Sequence, residues 1–140
     1  MDKAAQQGIL LHEVFAATAR KHPGQIAIDV PPGAARPERV RFSYAEVDAA
    51  SDDLAARLRP LISDECIVAI HLPRTSPDLY IAQLAVLKAG AAFTCIDPAF
   101  PPERVAEILD DSGAVALLLR LARLPWRRWA VRARRQAMAV

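Results

Sequence analysis

Apolar residues recur along this chain with two periods, and the switches between the periods mark its elements. From Ile9 to Lys21, the residues Ile9, Leu10, Val14, Phe15 and Ala19 return at helical spacing, which predicts an amphipathic helix. His22-Pro23-Gly24 stops it. Short polar/apolar alternation over Gln25–Val30 and Arg39–Phe42 predicts two strands joined by a loose Pro/Gly-rich stretch from Pro31 to Pro37. Ser43 is placed to cap a second helix, with Glu46 three residues on, so that each side chain can accept from the other's backbone N–H. On that helix Tyr44, Val47, Ala50, Leu54 and Leu58 share one face, Asp48, Asp52, Asp53 and Arg57 lie elsewhere, and Pro60 ends it.

The run Cys66-Ile67-Val68-Ala69-Ile70-His71-Leu72 is apolar almost throughout and of strand length, the signature of a strand covered on both faces. Ser76-Pro77-Asp78 then supplies a capping hydroxyl, a proline suited to a first helical position and an acid at the positive end of the dipole. The helix it opens runs to Lys88-Ala89-Gly90, where Gly90 can adopt the left-handed closing conformation. Leu79, Tyr80, Ile81, Leu84, Val86 and Leu87 lie nearly all the way round it, so something must cover its far side. Ala92–Ile96 predicts a strand, Pro101/Pro102 to Leu109 a helix closed by Gly113, and Ala114–Leu119 a further strand. The β-α-β-α-β alternation predicts an α/β fold: part of a doubly wound, mostly parallel sheet with helices on both faces.

The 53% apolar and 24% charged content suits one packed domain of 140 residues. Charge divides the chain near residue 119. Residues 1–119 hold 11 Lys/Arg against 16 Asp/Glu, a net −5, whereas the last 21 residues hold seven arginines and no acid, a net +7. Residues 120–140, with Leu121, Leu124, Pro125, Trp126, Trp129 and Val131, show no helical face and are expected to stand outside the fold. Cys66 and Cys95, among apolar neighbours in predicted strands, read as small core hydrophobes. His12, His22 and His71 are widely spread without partners at ligand spacing, so no metal site is predicted. No apolar run reaches the roughly 18 residues that span a bilayer, and the mixed-charge start lacks the layout of a secretory signal, which predicts a cytoplasmic protein.

Several segments, taken in order, resemble the amino-acid adenylation domains of nonribosomal peptide synthetases, in the acyl-adenylate-forming, AMP-binding superfamily. Leu11-His12-Glu13-Val14-Phe15 and His22-Pro23 resemble its opening helix and exit, and Phe42-Ser43-Tyr44-Ala45-Glu46-Val47 its first core strand and helix. The most specific stretch is Leu87-Lys88-Ala89-Gly90-Ala91-Ala92-Phe93, followed by Ile96-Asp97-Pro98, Phe100-Pro101-Pro102-Glu103-Arg104 and Ile108-Leu109-Asp110-Asp111-Ser112-Gly113-Ala114. Thr94-Cys95 departs from the family wording, which has a hydrophobe and then a proline.

The resemblance implies an AMP-forming ligase that converts an amino acid and ATP to an aminoacyl-adenylate, with ATP and Mg as cofactors of the full-length enzyme. It places the phosphate-binding loop, the acids for Mg and ribose and the catalytic lysine downstream of residues 9–119. No catalytic, cofactor or metal residue is therefore expected here. The motif residues Phe42, Ser43, Tyr44, Glu46, Leu87, Lys88, Ala89, Gly90, Ala92, Phe93, Asp97 and Pro98 are assigned structural work. Lys88, in a last helical turn, reads as a capping or surface residue, and Asp97-Pro98 as a turn opener, although the end of a strand is also where α/β sheets bind ligands. Arg74-Thr75-Ser76 could hold an anion at a helix start, but without glycine its backbone has no close approach to a phosphate. The five glycines are isolated, so they build no phosphate-cradling loop.

These residues predict a truncated fragment of an adenylation enzyme, inactive alone. Two alternatives stand beside it: a docking module or split-enzyme half that binds the missing downstream part, and a basic tail that binds nucleic acid or anionic membrane through Trp126 and Trp129.

Overall fold

The computed structural model describes residues 8–34, 36–63, 65–120 and 129–133 of the chain. In order these form α1 (Leu11–Lys21), β1 (Ile26–Val30), β2 (Val40–Ser43), α2 (Tyr44–Leu58), β3 (Ile67–His71), α3 (Asp78–Lys88), β4 (Ala92–Ile96), α4 (Pro102–Ser112), β5 (Ala116–Arg120) and β6 (Trp129–Ala133). Helix boundaries follow local chemistry. Ser43 Oγ accepts from Glu46 N at 3.2 Å while Glu46 Oε2 accepts from Ser43 N at 2.8 Å, the reciprocal cap expected for α2. Pro60 falls in a 3-10 turn, Arg59–Leu61, that ends α2. Ser76 Oγ accepts from Asp78 N at 3.3 Å, and α4 opens on Pro102 and closes on Gly113, which has a φ of 65°.

The main sheet has the order β4-β3-β5-β6. β3 lies parallel to both β4 and β5, with Val68 opposite Phe93 on one side and Ala116 on the other. Consecutive residues Val68, Ala69 and Ile70 are all buried because β3 is central and covered on both faces. On one face Val68, Ile70, Ala116 and Leu118 pack with Leu54 and Leu58 of α2 and Ala82, Ala85 and Val86 of α3. On the other, Ala69, Leu117 and Ile96 pack with Leu109 of α4. Helices on opposite faces make this portion of the sheet doubly wound, as predicted. Each fully buried Leu or Ile here contributes about 1.5–3 kcal/mol of transfer free energy.

β1 and β2 form a separate antiparallel hairpin, irregular between Ile26 and Ile28. Asp29 on β1 receives Arg39 Nε at 2.7 Å and Arg41 Nε at 3.4 Å. The hairpin joins α1 and α2 to α3 through a third cluster built on Phe42, Val47 and Ile81, with Phe15, Ile28 and Leu84 against it.

Two readings of the sequence need correction. Trp129–Ala133, given no element by its pattern, lies antiparallel on β5, with Arg120 opposite Trp129. Its side chains follow no helical face because it is a strand, and its nearest neighbour is the apolar β5. Leu121, Leu124, Pro125 and Trp126 lie outside the described residues. Cys95 is exposed rather than in the core, because β4 has a described neighbour on one side only. On the face toward α3 its Sγ meets a polar side chain, accepting from Gln83 Nε2 at 3.4 Å. Cys66 is half-buried beside the α2/α3 cluster.

Candidate functional site

The motif residues around α2 and α3 converge on Lys88. Its side chain, 7% exposed, turns back from the last turn of α3 onto α2. There Nζ donates to Asp48 Oδ1 at 2.7 Å, Asp52 Oδ1 at 2.7 Å, Ser51 Oγ at 2.9 Å and the Asp48 carbonyl at 3.2 Å. Asp48 and Asp52 sit one helical turn apart and so share the face that meets α3. Lys88 is thus neither a surface residue nor a cap on its own helix. Leu87 lines the groove beside α1, while Gly90, at φ 86°, reverses the chain so that Ala92 can enter β4 and donate to the Cys66 carbonyl at 2.8 Å.

The carboxyl ends of the parallel strands carry the second group of predicted residues. Asp97 leaves β4 and accepts from Ala99 N at 2.9 Å, and its carbonyl accepts from Phe100 N at 3.0 Å, so the side chain organises the Asp97-Pro98 turn. His71, opposite Ile96 in the β3–β4 ladder, has a buried Nε2 with no hydrogen-bond partner among the described residues. Burial holds its pKa below the ordinary imidazole value, with the Asp97 charge acting in the opposite direction. Nothing in the sequence distinguished His71 from a core residue beyond its place at a strand end.

A cavity of about 760 Å³ lies between the hairpin and the start of α3. Arg36, Thr75, Ser76, Asp78 and Arg120 supply its polar lining. Arg120, the last residue of β5, pairs with the buried Asp78 carboxylate at the first position of α3 and lies 6.0 Å from the Trp129 ring centroid. Arg74, Thr75 and Ser76 together border the groove beside α1, and Thr75 and Ser76 also reach this cavity.

This donor set does not fit the triphosphate of ATP. Lys88, the motif's lysine, is engaged by two carboxylates and a hydroxyl. Among the described residues Gly33 is the one glycine lining the cavity beside α3. Among the described residues no group of three His, Cys, Asp or Glu side chains could hold a metal ion. No described helix is long and apolar enough to cross a membrane.

The motif order that pointed to adenylation domains is matched by the AMP-binding enzyme family over residues 15–138. The chain belongs to that family. The nonribosomal peptide synthetase sidC of Aspergillus fumigatus is 37% identical over an alignment of 122 residues that covers 80% of this chain and 2% of the relative. Syringomycin synthase SyrB1 of Pseudomonas syringae is 40% identical over an alignment of 123 residues that covers 84% of this chain and 18% of the relative. Among solved structures, Klebsiella oxytoca NpsA in complex with 3-hydroxyanthranilyl-AMSN superimposes with a TM-score of 0.67 at 28% identity, over 79% of this chain and 21% of that one. The nonribosomal peptide synthetase FmoA3 in an AMPPNP-bound form gives 0.69 at 29%, over 85% and 12%. The chain therefore spans a small fraction of the length of its curated relatives. As an AMP-binding family member it departs from the usual motif at Thr94-Cys95, yet β4 keeps an unbroken register there, Thr94 opposite Ala69 and Cys95 opposite Ile70.

Proposed function

We propose that these 140 residues are a portion of an AMP-forming, amino-acid-activating enzyme of nonribosomal peptide synthesis, inactive alone. The carrying observation is the engagement of Lys88 by Asp48, Asp52 and Ser51: the family's most specific motif is used here to join α3 to α2. Activation of a carboxylic acid by ATP requires donors for the phosphates and a cation for the developing charge. In this reading ATP and Mg are held by residues of a longer adenylation domain, and the reaction takes place in the cytoplasm. Phe42, Ser43, Tyr44, Glu46, Leu87, Lys88, Ala89, Gly90, Ala92, Phe93, Asp97 and Pro98 hold the framework and touch no substrate.

The division at residue 119 is read as one of charge, an acidic stretch followed by an arginine-rich segment from 120 to 140, and the family match runs across it to residue 138. Trp129–Ala133 crosses that division by pairing with β5. The second reading, a split-enzyme half that joins a downstream partner, is favoured by an apolar groove beside α3.

Amino-acid-dependent ATP–pyrophosphate exchange on the purified 140-residue protein, with proteinogenic amino acids pooled and a complete adenylation domain as control, tests the reading. No exchange alone, and exchange on addition of a downstream adenylation fragment, is the expected outcome. Exchange by the isolated protein overturns it.

A further inference from the structure

α3 carries apolar residues nearly all the way round, with Gln83 the polar exception in its middle, and the fold covers only part of it. Ala82, Ala85 and Val86 face the sheet and α2, and Ile81 meets Phe42 and Val47. The remaining side, with Tyr80, Leu84 and Leu87, opens into a groove of about 770 Å³ walled by α1 and the β1–β2 hairpin. Three residues of its rim are left in water: Leu11 is 70% exposed, Val14 50% and Tyr80 51%. Contiguous apolar surface of this kind marks an interface.

We propose that this groove seats the remaining part of an adenylation N-terminal subdomain, carried on a longer chain or a second polypeptide. The inference rests on the family reading above and adds the surface at which the two parts meet. The length of the comparable unit argues for this occupant. The N-terminal subdomain of Klebsiella oxytoca NpsA, solved by itself, superimposes with a TM-score of 0.66 over 77% of this chain, yet this chain accounts for only 26% of it. Most of that unit thus lies outside the region matched here. Among the described residues nothing closes the groove, and it follows the described helix whose apolar residues spread nearly all the way round. α4, by contrast, carries its apolar residues on one face, and the fold already covers Leu109.

The test expresses the full 140-residue chain with a separate polypeptide, the downstream part of the N-terminal subdomain from the adenylation domain of syringomycin synthase SyrB1. Size-exclusion chromatography reads their association. Val14→Glu and Tyr80→Glu change side chains that are exposed in the chain alone, and circular dichroism of each variant confirms that it folds. Phe100→Glu and Val115→Glu alter exposed apolar residues that do not line the groove.

Co-elution of the two wild-type polypeptides, weakened about tenfold or more by Val14→Glu with Tyr80→Glu and unchanged by the control pair, is the expected result. Co-elution that ignores the groove variants overturns the assignment while leaving the family reading in place. Separate elution of the wild-type polypeptides overturns it as well. Concentration-dependent self-association abolished by Val14→Glu would give the groove to a second copy of this chain, against the proposal. Pyrophosphate exchange, measured separately, reports on the activity and not on the docking surface.

Discussion

Lys88 Nζ lies 2.7 Å from Asp48 Oδ1, an ammonium–carboxylate contact that fastens the end of α3 to the second turn of α2. The ammonium is nearly enclosed, and its partners differ in exposure: the Asp48 side chain is 28% exposed and that of Asp52 63%. Removal of the cation leaves Asp48 partly desolvated without its counter-charge. Lys88→Met is therefore expected to cost about 1–3 kcal/mol, below the full penalty for a wholly buried pair because water can reach both acids. Asp52→Asn should cost less than about 1 kcal/mol. Urea unfolding of the two variants checks the order; equal midpoints for Lys88→Met and the parent would show that the contact adds nothing.

The reciprocal cap at the start of α2 gives a second expectation. Ser43→Ala removes the acceptor for Glu46 N and should lower stability by about 1 kcal/mol, while Ser43→Asp restores an acceptor and most of the loss. Thermal midpoints of the three proteins would decide it.

His71 predicts a pH dependence. Burial lowers its folded pKa from the ordinary 6.5, with Asp97 partly offsetting this, so the unfolded chain takes up the proton first as pH falls. The contribution of neutral His71 is complete above that unfolded value. It is lost progressively from about pH 6.5 down to the lower folded-state pKa. His71→Leu should flatten the stability profile in that window, and Asp97→Asn should deepen the acid loss by withdrawing support from the imidazolium. Unfolding free energies measured across the window, with no difference between parent and His71→Leu, would refute the assignment.

Gly113 offers a test of backbone alone. It closes α4 at φ 65°, and a Cβ added there would meet no atom within 4 Å. Gly113→Ala should thus cost about 1 kcal/mol from the left-handed conformation, with no clash to relieve. An unchanged unfolding midpoint would mean that the helix end rearranges freely.

The sequence made most of the framework legible because period and punctuation agree along it. Cys66 to Leu72 reads as a strand covered on both faces, and Val68, Ala69 and Ile70 are buried in succession. Ser43 with Glu46, Pro102 and Gly113 bound their helices where their chemistry requires, and α1 and β5 begin within two residues of expectation. What escaped was long-range pairing. Asp48 and Asp52 look like a solvated face until α3 is placed beside them. Cys95 looks like a core residue until β4 proves to have β3 alone as a described neighbour. Trp129–Ala133 has little periodicity, and its pairing with β5 depends on tertiary contact. The acceptors of Lys88 were equally hidden, since they lie far from it in sequence.

The strand order has a consequence for the order of events as the chain is made. Synthesis runs from the N-terminus, so β3 emerges with its first partner, β4, not far behind. Its second, β5, follows only after α4, because Val68 pairs with Ala116 on that side. Until then the most apolar strand of the protein has one flank open, and β6 cannot dock before β5 is in place. The nascent chain is most prone to aggregate in that interval, and a chaperone that holds extended apolar segments would have its greatest effect there.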